Sequence, residues 1–420
     1  MNYQETTEYL FNSTPVFEKI GAKAYKPGLQ TTHALDEHFG HPHRQYKTIH
    51  IAGTNGKGSC SHTIAAILQS QGYKVGLYTS PHLVDFRERI RVNGECVPEQ
   101  YVIDFVEQNR SFFEPLHPSF FELTTAMALK YFAEQGVDYA VIEVGLGGRL
   151  DCTNIITPML SIITNISFDH TQFLGNTLAE IAGEKAGIIK PHVPVVVGEY
   201  LEATRPVFEE KAKEMQAPIL FAQDFFAQDF SAQDTEMESH VEMELKGSYQ
   251  ECNKKTILAA LSILRQNTTI GNAAIRKGFA QVCELTGLRG RWEKLNDAPL
   301  TICDTGHNLA GWNYLALQIK SVKAETKHIV FGMVDDKDVT HVLQLLSQQL
   351  KNGVKYYWTQ PSTKRAIPVA KLRDFALEYN LHGNAYHSVK EAYKAAKENA
   401  RNNDFIFVGG SSYVVADLLS

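Results

Sequence analysis

A glycine-rich segment near the start of the chain restricts its fold more than any other feature. Gly53–Ser59 reads Gly-Thr-Asn-Gly-Lys-Gly-Ser, follows the β-rich run Thr48–Ala52 and precedes a helical pattern of apolar residues. Glycines permit positive φ and let backbone N–H groups face an anion, while the following helix adds its positive N-terminal end. Lys57 supplies a point charge for phosphate oxygens. A lone glycine motif is more often an ordinary turn, but three glycines and a lysine in this context favour phosphate binding.

The segment is a variant of the common G-x-x-x-x-G-K-[ST] loop, because a glycine separates Lys57 from Ser59. Downstream of it, apolar runs alternate with helical patterns, which predicts a mostly parallel sheet covered on both faces. The runs that we expect to be strands are Val75–Thr79, Tyr139–Val144, Leu160–Ile166 and Val193–Gly198. The first domain is therefore predicted to be an α/β mononucleotide-binding domain.

Polar residues gather where the predicted strands end, and ligands bind at this edge of such sheets. Ser80, Glu143 and the pair Asp169-His170 all follow a strand. A carboxylate at the end of a buried strand is costly unless it is paired or bound to a cation. Glu143 could pair with Arg149 or Arg89, but the nearby phosphate loop favours magnesium. His170 alone would more often be structural, and its place beside Asp169 makes a ligand role equally plausible.

A second α/β unit follows the segment Asn296–Pro299, which we interpret as a linker. Its predicted strands are Leu300–Cys303, Lys327–Met333, Val354–Thr359 and Asp404–Val408. The sequence thus predicts two domains, residues 1–296 and a smaller Rossmann-like α/β domain at 297–420. The glycine turn after Val408 lacks a lysine, so we expect a packing turn there rather than a second phosphate loop.

Composition excludes several classes of function. The 420 residues carry a formal net charge of −6, which gives no basic field for nucleic acid. Six cysteines lie singly, as expected for reduced thiols in the cytoplasm. The sequence offers no signal peptide and no apolar stretch of about 18 residues, so we expect no membrane segment. The short repeat at 221–234 is interpreted as a surface excursion.

Five motifs together carry a family resemblance. Besides the glycine loop they are Thr79–Leu83, Glu143–Asp151, Asp169–Thr171 and Glu184–Ile188. In this order and spacing they resemble folylpolyglutamate synthase and bacterial dihydrofolate synthase, which are relatives of the Mur ligases. The resemblance covers nearly the whole chain.

The resemblance implies an ATP-dependent amide ligase that adds L-glutamate to dihydropteroate, to the γ-carboxyl of a reduced folate, or to both, through an acyl phosphate. It implies two Mg²⁺ ions and a carbamylated Lys185, a residue whose spacing alone would suggest a solvated helix face. The implied catalytic residues are Lys57, Glu143, His170 and Lys185, and the implied metal ligands are Ser80, Glu143, His170 and Lys185. We expect a cytoplasmic monomer that binds neither nucleic acid nor membrane.

The resemblance also assigns the substrate contacts. The implied ATP-binding residues are Gly53, Thr54, Asn55, Gly56, Lys57, Gly58, Ser59, Asn253, Arg291, Asp304 and His307. The implied pterin or folate contacts are Pro27, Gly28, Leu29, Phe120, Phe121, Glu122, Leu150, Asp151 and Cys152. The chain departs from the family pattern Asp-Gly-Ala-His-Asn-Pro, because Thr305 and Gly306 follow Asp304 and Leu309 replaces the proline.

Two other functions compete with this interpretation. A Mur-type ligase acting on a UDP-linked muramyl substrate shares the loop and the lysine chemistry. It would normally bring an additional N-terminal UDP-binding domain, and only about 47 residues precede the loop here. A non-catalytic nucleotide-binding protein predicts ATP binding without glutamate-dependent phosphate release, and it leaves Glu143, His170 and Lys185 unexplained.

Overall fold

The computed structural model describes residues 1–14, 28–225, 241–335, 337–350 and 352–420. The chain divides into two compact units. Unit 1 comprises Met1–Glu244 and Gln250–Leu288, and unit 2 comprises Leu245–Tyr249 and Arg289–Ser420. Pro27 and residues 226–234 of the short repeat lie outside the described residues, whereas Phe221 is buried and ends a strand. No helix in the described ranges is long and apolar enough to cross a membrane.

Unit 1 is built on an eight-stranded sheet whose central strands are buried on both faces, as expected for a mostly parallel sheet. The order is β4-β3-β2-β5-β1-β6-β7-β8; β3 is antiparallel to both of its neighbours, β2 and β4, and all other neighbouring pairs are parallel. The strands are β1 (Lys47–Ala52), β2 (Val75–Tyr78), β3 (Ile90–Val92), β4 (Glu95–Cys96), β5 (Tyr139–Glu143), β6 (Leu160–Ile163), β7 (Val195–Val197) and β8 (Ile219–Phe221).

Several α-helices of unit 1 begin at a capping side chain or at a glycine turn. Ser119 and Thr177 each form a capping box with a glutamate three residues later, which fixes the starts of the helices Phe120–Glu134 and Leu178–Ala186. The described helices are α1 (Tyr3–Ser13), α2 (Gln30–His38), α3 (Lys57–Ser70), α4 (Glu99–Phe113), α5 (Phe120–Glu134), α6 (Thr171–Leu174), α7 (Leu178–Ala186), α8 (Arg205–Glu214), α9 (Ala222–Phe225), α10 (Gln250–Leu264), α11 (Asn272–Ala280) and α12 (Val282–Thr286).

Unit 2 has a six-stranded sheet in the order β13-β12-β11-β14-β10-β9, in which β9 is antiparallel to β10. Its strands are β9 (Glu293–Asp297), β10 (Leu300–Asp304), β11 (Lys327–Phe331), β12 (Val354–Thr359), β13 (Gly383–Tyr386) and β14 (Phe405–Gly409). Its described helices are α13 (Leu309–Ser321), α14 (Val339–Gln349), α15 (Val369–Glu378), α16 (Val389–Asn399) and α17 (Ser412–Leu419). The predicted α/β class is confirmed for both units.

The interpretation of Asn296–Pro299 as a linker was wrong. These residues end β9 and turn into β10, and the two strands pair from Leu300 with Asp297 onwards. The units divide between Leu288 and Arg289 rather than at 296 and 297. A polar Asn-Asp-Ala-Pro sequence suits a tight hairpin turn as well as a linker, because both need residues that favour turns.

Candidate functional site

The glycine loop lies between β1 and α3, as the sequence predicts. Gly53 and Gly56 have φ values of +146° and +84°, which side chains rarely adopt. A Cβ on Gly56 would also lie 2.2 Å from the Asn253 side-chain oxygen. Gly56 is the N-cap of α3 and provides no side-chain cap, so the first turn of the helix keeps amide groups for an anion.

The segment after β6 holds the loop in place. The amide of Thr54 donates to the Asn165 carbonyl at 3.0 Å, and the amide of Asn55 donates to the Asn165 side chain at 2.9 Å. Asn165 in turn donates to Glu199 at 3.3 Å. Sequence reasoning missed Asn165 and Glu199; the place of Asn165 at the end of the predicted strand Leu160–Ile166, four residues before Asp169, was a usable signal.

Two lysines from distant parts of the chain meet at this loop. The Nζ of Lys57 donates to the carbonyl oxygens of Gly53 and Thr54, both at 3.1 Å. The Nζ of Lys185 donates to the same Gly53 oxygen at 2.9 Å. The ammonium group of Lys57 adds positive charge beside the amides of the helix start, which favours a bound anion, and Lys185 lies at the same carbonyl.

The interpretation of Lys185 as part of a solvated face was wrong, because only 4% of this residue is exposed. Burial and the neighbouring Lys57 cation lower the pKa of Lys185 to about 7, against the opposing effects of Asp169 and Asp151. Lys185 lies on α7, whose first-turn cap is Thr177. A buried lysine near neutrality offers a neutral amine, which the predicted reaction with CO₂ requires.

Glu143 lies at the carboxyl end of β5, paired in register with Ile51 of β1, two residues before Gly53. It is 3% exposed, and one carboxylate oxygen accepts the Ser80 amide at 3.2 Å. The sequence suggested Arg149 and Arg89 as possible partners of Glu143. In the structure the Arg149 guanidinium binds Glu184 at 2.8 Å, and Nε of Arg89 donates to His82 at 2.7 Å. The structure therefore brings Glu143 and Ser80 together beside the loop, with the oxygen donors that a hard divalent cation prefers.

His170 follows β6 and is the N-cap residue of the short helix α6. Its φ is +50°. Its amide donates to the Asp169 carboxylate at 2.9 Å, and its Nε2 lies 3.8 Å from the same oxygen. Its side chain is 24% exposed. The residue thus stands at the same edge of the sheet as Glu143 and the glycine loop, because β1, β5 and β6 are parallel neighbours.

Asn253 and Ser59 are joined through Gln250 in unit 1. Gln250 donates to the Ser59 hydroxyl at 3.1 Å and accepts from the Asn253 side chain at 2.8 Å. All three residues are buried. This chain of amide groups places Asn253 against the glycine loop.

Three of the predicted folate contacts serve the fold directly. Phe120 is 2% exposed and stacks on Phe11 with ring centroids 4.7 Å apart. Glu122 accepts the Ser119 amide at 2.7 Å in the cap of α5. Asp151 accepts the amides of Leu146 and Thr153 at 2.8 and 3.0 Å, and burial raises the pKa of its carboxyl. Their side chains are thus largely engaged within unit 1.

The other predicted folate contacts are more accessible. Phe121, Leu150 and Cys152 are half-buried, and the Phe121 ring lies 5.8 Å from that of Tyr78. Gly28 has φ of +100°, and Leu29 is the N-cap of α2. Pro27 lies outside the described residues.

In unit 2, Asp304 ends β10 and accepts three hydrogen bonds. The donors are the Tyr249 hydroxyl at 2.7 Å, the Trp292 amide at 2.7 Å and the Gly306 amide at 2.8 Å. Arg291 donates to the Thr305 hydroxyl, and Nδ1 of His307 lies 3.2 Å from the Thr305 carbonyl oxygen. Burial raises the pKa of Asp304, although these donors oppose the shift. The three predicted ATP contacts of unit 2 therefore surround one turn.

Comparisons with known proteins agree with these features. A family model described as the Mur ligase middle domain matches residues 51–260, and one described as the Mur ligase glutamate ligase domain matches residues 290–412. Folylpolyglutamate synthase of Lacticaseibacillus casei is 33% identical, with 97% of this chain and 96% of that protein covered.

Solved structures are similar over the full length. FolC of E. coli in complex with DHPP and ADP is 29% identical, with a TM-score of 0.84. The alignment covers 100% of this chain and 97% of that one. A bifunctional folylpolyglutamate synthase/dihydrofolate synthase of Yersinia pestis, complexed with AMPPNP and a Mn ion, is 26% identical. Its TM-score is 0.83, with 100% of this chain and 97% of that one covered.

Proposed function

The chain belongs to the Mur ligase family, within its folylpolyglutamate synthase branch, and we propose that it joins L-glutamate to a folate-type acid at the expense of ATP. The acid is dihydropteroate, the γ-carboxyl of a reduced folate, or both. A relative that carries both activities, of known structure with AMPPNP and a Mn ion, supports the ATP and metal requirements and favours a bifunctional enzyme.

The observation that carries the proposal is the meeting of Lys57 and Lys185 at the Gly53 carbonyl, 3.1 and 2.9 Å away. The second lysine comes from a motif 128 positions after the first, so their meeting follows from the fold rather than from local sequence. An uncapped helix start and the Lys57 ammonium suit the phosphates of ATP, and Lys185 lies at the same carbonyl as Lys57. We assign Gly53–Ser59 and Asn253 to ATP in unit 1.

The chemistry starts from a poor electrophile, because a carboxylate resists attack by an amine. A carboxylate oxygen of the acid attacks the γ-phosphorus of ATP, and ADP leaves. The glutamate nitrogen then attacks the acyl carbon, inorganic phosphate leaves, and the amine loses a proton. In this scheme Lys57 orients the phosphates and offsets their charge, so its contribution is positioning and electrostatic stabilisation.

The side chains at the strand ends fit divalent cations. Glu143 is buried beside Ser80, and together with His170 and Lys185 it forms the ligand set that we propose for two Mg²⁺ ions. Bound Mg²⁺ would neutralise charge where the acid, the triphosphate and the intermediate are brought together. Ser80 and Glu143 are assigned to the first ion, and Glu143 and His170 to the second.

We assign to Lys185 a carbamate that forms when its neutral amine attacks CO₂ and loses a proton. This modification turns a buried amine into an anionic oxygen donor. Support comes from the 4% exposure of the residue and from the nearby Lys57 ammonium, which disfavours a second positive charge. Lys185→Ala should lose most turnover and regain part of it with added short carboxylates; unaltered activity would remove this lysine from the site.

For the folate-type acid we propose contacts from Gly28, Leu29, Phe121, Leu150 and Cys152, which leave side-chain or backbone surface accessible. Phe120, Glu122 and Asp151 remain predicted contacts, although their observed partners belong to the fold. In unit 2, the ATP contacts of Arg291, Asp304 and His307 are proposals of the same kind. Monomeric state and cytoplasmic location also remain predictions.

The test uses purified protein with ATP, Mg²⁺ and labelled glutamate, offered dihydropteroate and tetrahydrofolate in separate reactions. Labelled product that depends on ATP supports the ligase, and product from both acids supports the bifunctional form. Product from one acid alone defines a single activity. ATP binding without glutamate-dependent phosphate release would instead identify a non-catalytic nucleotide-binding protein and reject the proposal.

A further inference from the structure

A cluster of potential metal ligands lies away from the glycine loop, where α2 leads into β1. Asp36 is on α2, and His41 and His43 flank the Pro42 that begins a short 3₁₀ helix. One ligand atom from each of the three residues lies within 4.8 Å of the others. Neither the proposed ligase chemistry nor the predicted substrate contacts use these side chains.

The backbone brings the two imidazoles to the carboxylate. The His41 amide donates to the Asp36 carbonyl at 2.8 Å, and His41 has φ of +54°, which reverses the chain after α2. The Arg44 amide donates to the His41 carbonyl at 3.0 Å and closes the next turn. Asp36 and both histidines are thereby held on one side of a compact turn.

Of the two histidine–Asp36 distances, one matches a tetrahedral zinc site and the other is shorter. Nε2 of His43 lies 3.3 Å from Oδ2 of Asp36, and Nδ1 of His41 lies 2.6 Å from the same oxygen. Ligands about 2.0 to 2.1 Å from a tetrahedral zinc ion are roughly 3.3 Å apart. The Asp36–His43 pair already has this spacing, and the Asp36–His41 pair would have to open by about 0.7 Å to reach it.

A second observation points to a ligand. Asp36 is 7% exposed, yet its Oδ1 has no hydrogen-bond partner among the described residues. A buried carboxylate oxygen without a partner is costly, and a cation held at this carboxylate would offset that cost. His41, by contrast, keeps 37% of its side chain exposed, which provides a path for an ion to enter.

We propose that Asp36, His41 and His43 bind one Zn²⁺ ion, with water as the fourth ligand. Two imidazole nitrogens and one carboxylate select zinc over the oxygen-preferring Mg²⁺ of the ligase reaction. The ion would link α2 to the segment that enters β1. Because Thr32 of α2 donates to Glu122 of α5 at 3.4 Å, the same link would also steady the contact between α2 and α5.

The test uses the full chain without an affinity tag, freed of metal by a chelator and kept in excess Mg²⁺. Co²⁺ should bind once per chain with the strong visible absorption of a tetrahedral site that contains nitrogen ligands, and Zn²⁺ should displace it. His43→Gln should weaken Co²⁺ binding by at least about 10-fold, the lower limit for loss of even an outer partner of a metal. His41→Gln, at the exposed side, provides a second variant if His43→Gln does not fold.

Two controls separate this site from others. His170→Ala removes the histidine of the candidate active site and should leave the Co²⁺ spectrum unchanged. His341→Gln removes an exposed histidine that bonds Asp338 at 2.7 Å and should also have no effect. No Co²⁺ binding, an unchanged spectrum in both His43→Gln and His41→Gln, or loss of the spectrum in His170→Ala would each overturn the proposal.

A further readout does not depend on activity. Zn²⁺ should slow amide hydrogen exchange in residues 30–44 of the wild-type chain and have no such effect in His43→Gln. Equal exchange with and without Zn²⁺ would contradict a link between α2 and β1 through the metal. Both experiments are independent of the ligase assay, so failure of one proposal leaves the other testable.

Discussion

Two glycine turns occupy equivalent places in the two units, but they differ in how the following helix begins. Each follows a central parallel strand and precedes a helix: Gly53–Gly56 lies between β1 and α3, and Gly410-Ser411 lies between β14 and α17. Both turns need glycine. Gly56 has φ of +84° and Gly410 has φ of +106°, and a Cβ on Gly410 would lie 2.3 Å from the Gly332 carbonyl oxygen.

The difference lies at the helix start. In unit 2 the Ser411 hydroxyl accepts the Val414 amide at 3.2 Å, so the protein caps its own helix. In unit 1 Gly56 has no side chain to do so, and Lys57 brings positive charge to the same place, with Lys185 at the same Gly53 carbonyl. Glycine alone therefore does not mark a phosphate loop; an uncapped helix start with a nearby cation does.

The largest expected effect comes from Lys57→Ala. Loss of this cation should lower kcat/KM by about 10²- to 10³-fold, the range for removing one positioned stabilising group, because its charge acts on the transferred phosphate. Steady-state phosphate release with glutamate and the folate-type acid measures it. Lys294→Ala, which removes an exposed lysine paired with Asp297, is the matched control. Equal activity of the two variants would refute the difference that we draw between the turns.

Gly410→Ala tests the other turn. The new Cβ meets the Gly332 backbone, and alanine would have to keep the positive φ of this position, so unit 2 should lose about 2 to 4 kcal/mol of stability. All three tryptophans, Trp292, Trp312 and Trp358, belong to unit 2, so their fluorescence during urea unfolding reports this unit. Gly353→Ala is the control, with φ of +68° but no atom closer than 3.4 Å, and it should lose only about 1 kcal/mol. Equal losses would show that crowding at Gly410 is unimportant.

β1 and β11, the neighbour of β14, each carry a buried histidine, and the stability of the two units should depend differently on pH through them. Burial and Lys190 lower the pKa of His50 on β1 to about 3, and Nδ1 has no partner in the described part of the chain. The unfolded chain, with a histidine pKa near 6.5, binds the proton first, so stability falls as the pH drops from about 6.5 towards 3. The contribution is about 1.4 kcal/mol per pH unit.

Urea unfolding followed by far-UV circular dichroism between pH 7 and pH 4 checks this expectation. His50→Gln should flatten the pH dependence by the stated amount. His328→Gln on β11 should have a smaller effect on the pH dependence of stability measured by tryptophan fluorescence. The reason is that Asp404 lies 3.3 Å from His328 and opposes the lowering of its pKa by burial. A pH dependence in His50→Gln equal to that of the wild type would contradict the assignment.

The smallest effect belongs to Ser411→Ala. Loss of the N-cap hydrogen bond should destabilise unit 2 by about 1 kcal/mol, since the Val414 amide loses its acceptor. Tryptophan fluorescence again measures it, and glutamate ligation should stay at the wild-type rate. A fall in the rate comparable to that of Lys57→Ala would mean that the second turn also serves the chemistry.

The sequence predicted the central strands well because continuous apolar runs such as Tyr139–Val144 are typical of strands buried on both faces. Edge strands were missed because they are short or polar. Glu293–Asp297 has alternating, largely exposed residues and was interpreted as partly linker, although pairing with β10 makes it a strand. Only the tertiary partner decides such cases.

Prediction of the site was uneven for a similar reason. The glycine loop is local in sequence, so its shape could be inferred from Gly53 to Ser59 alone. The burial of Lys185 depends on the packing of α7 beside the loop, which helical spacing does not reveal. Asp36, His41 and His43 escaped notice because their convergence depends on a left-handed residue at the end of α2.

The path of the chain has a practical consequence for dissecting the molecule. Leu245–Tyr249 belongs to unit 2, yet residues 250–288, which belong to unit 1, separate it from the rest. A fragment that starts at residue 289 would lack the Tyr249 hydroxyl that binds Asp304, and the Lys246 carbonyl and Ser248 amide that bind Gln318. Unit 2 therefore cannot be excised as one continuous fragment. An exchange of unit 2 between homologous enzymes must include the segment Leu245–Tyr249.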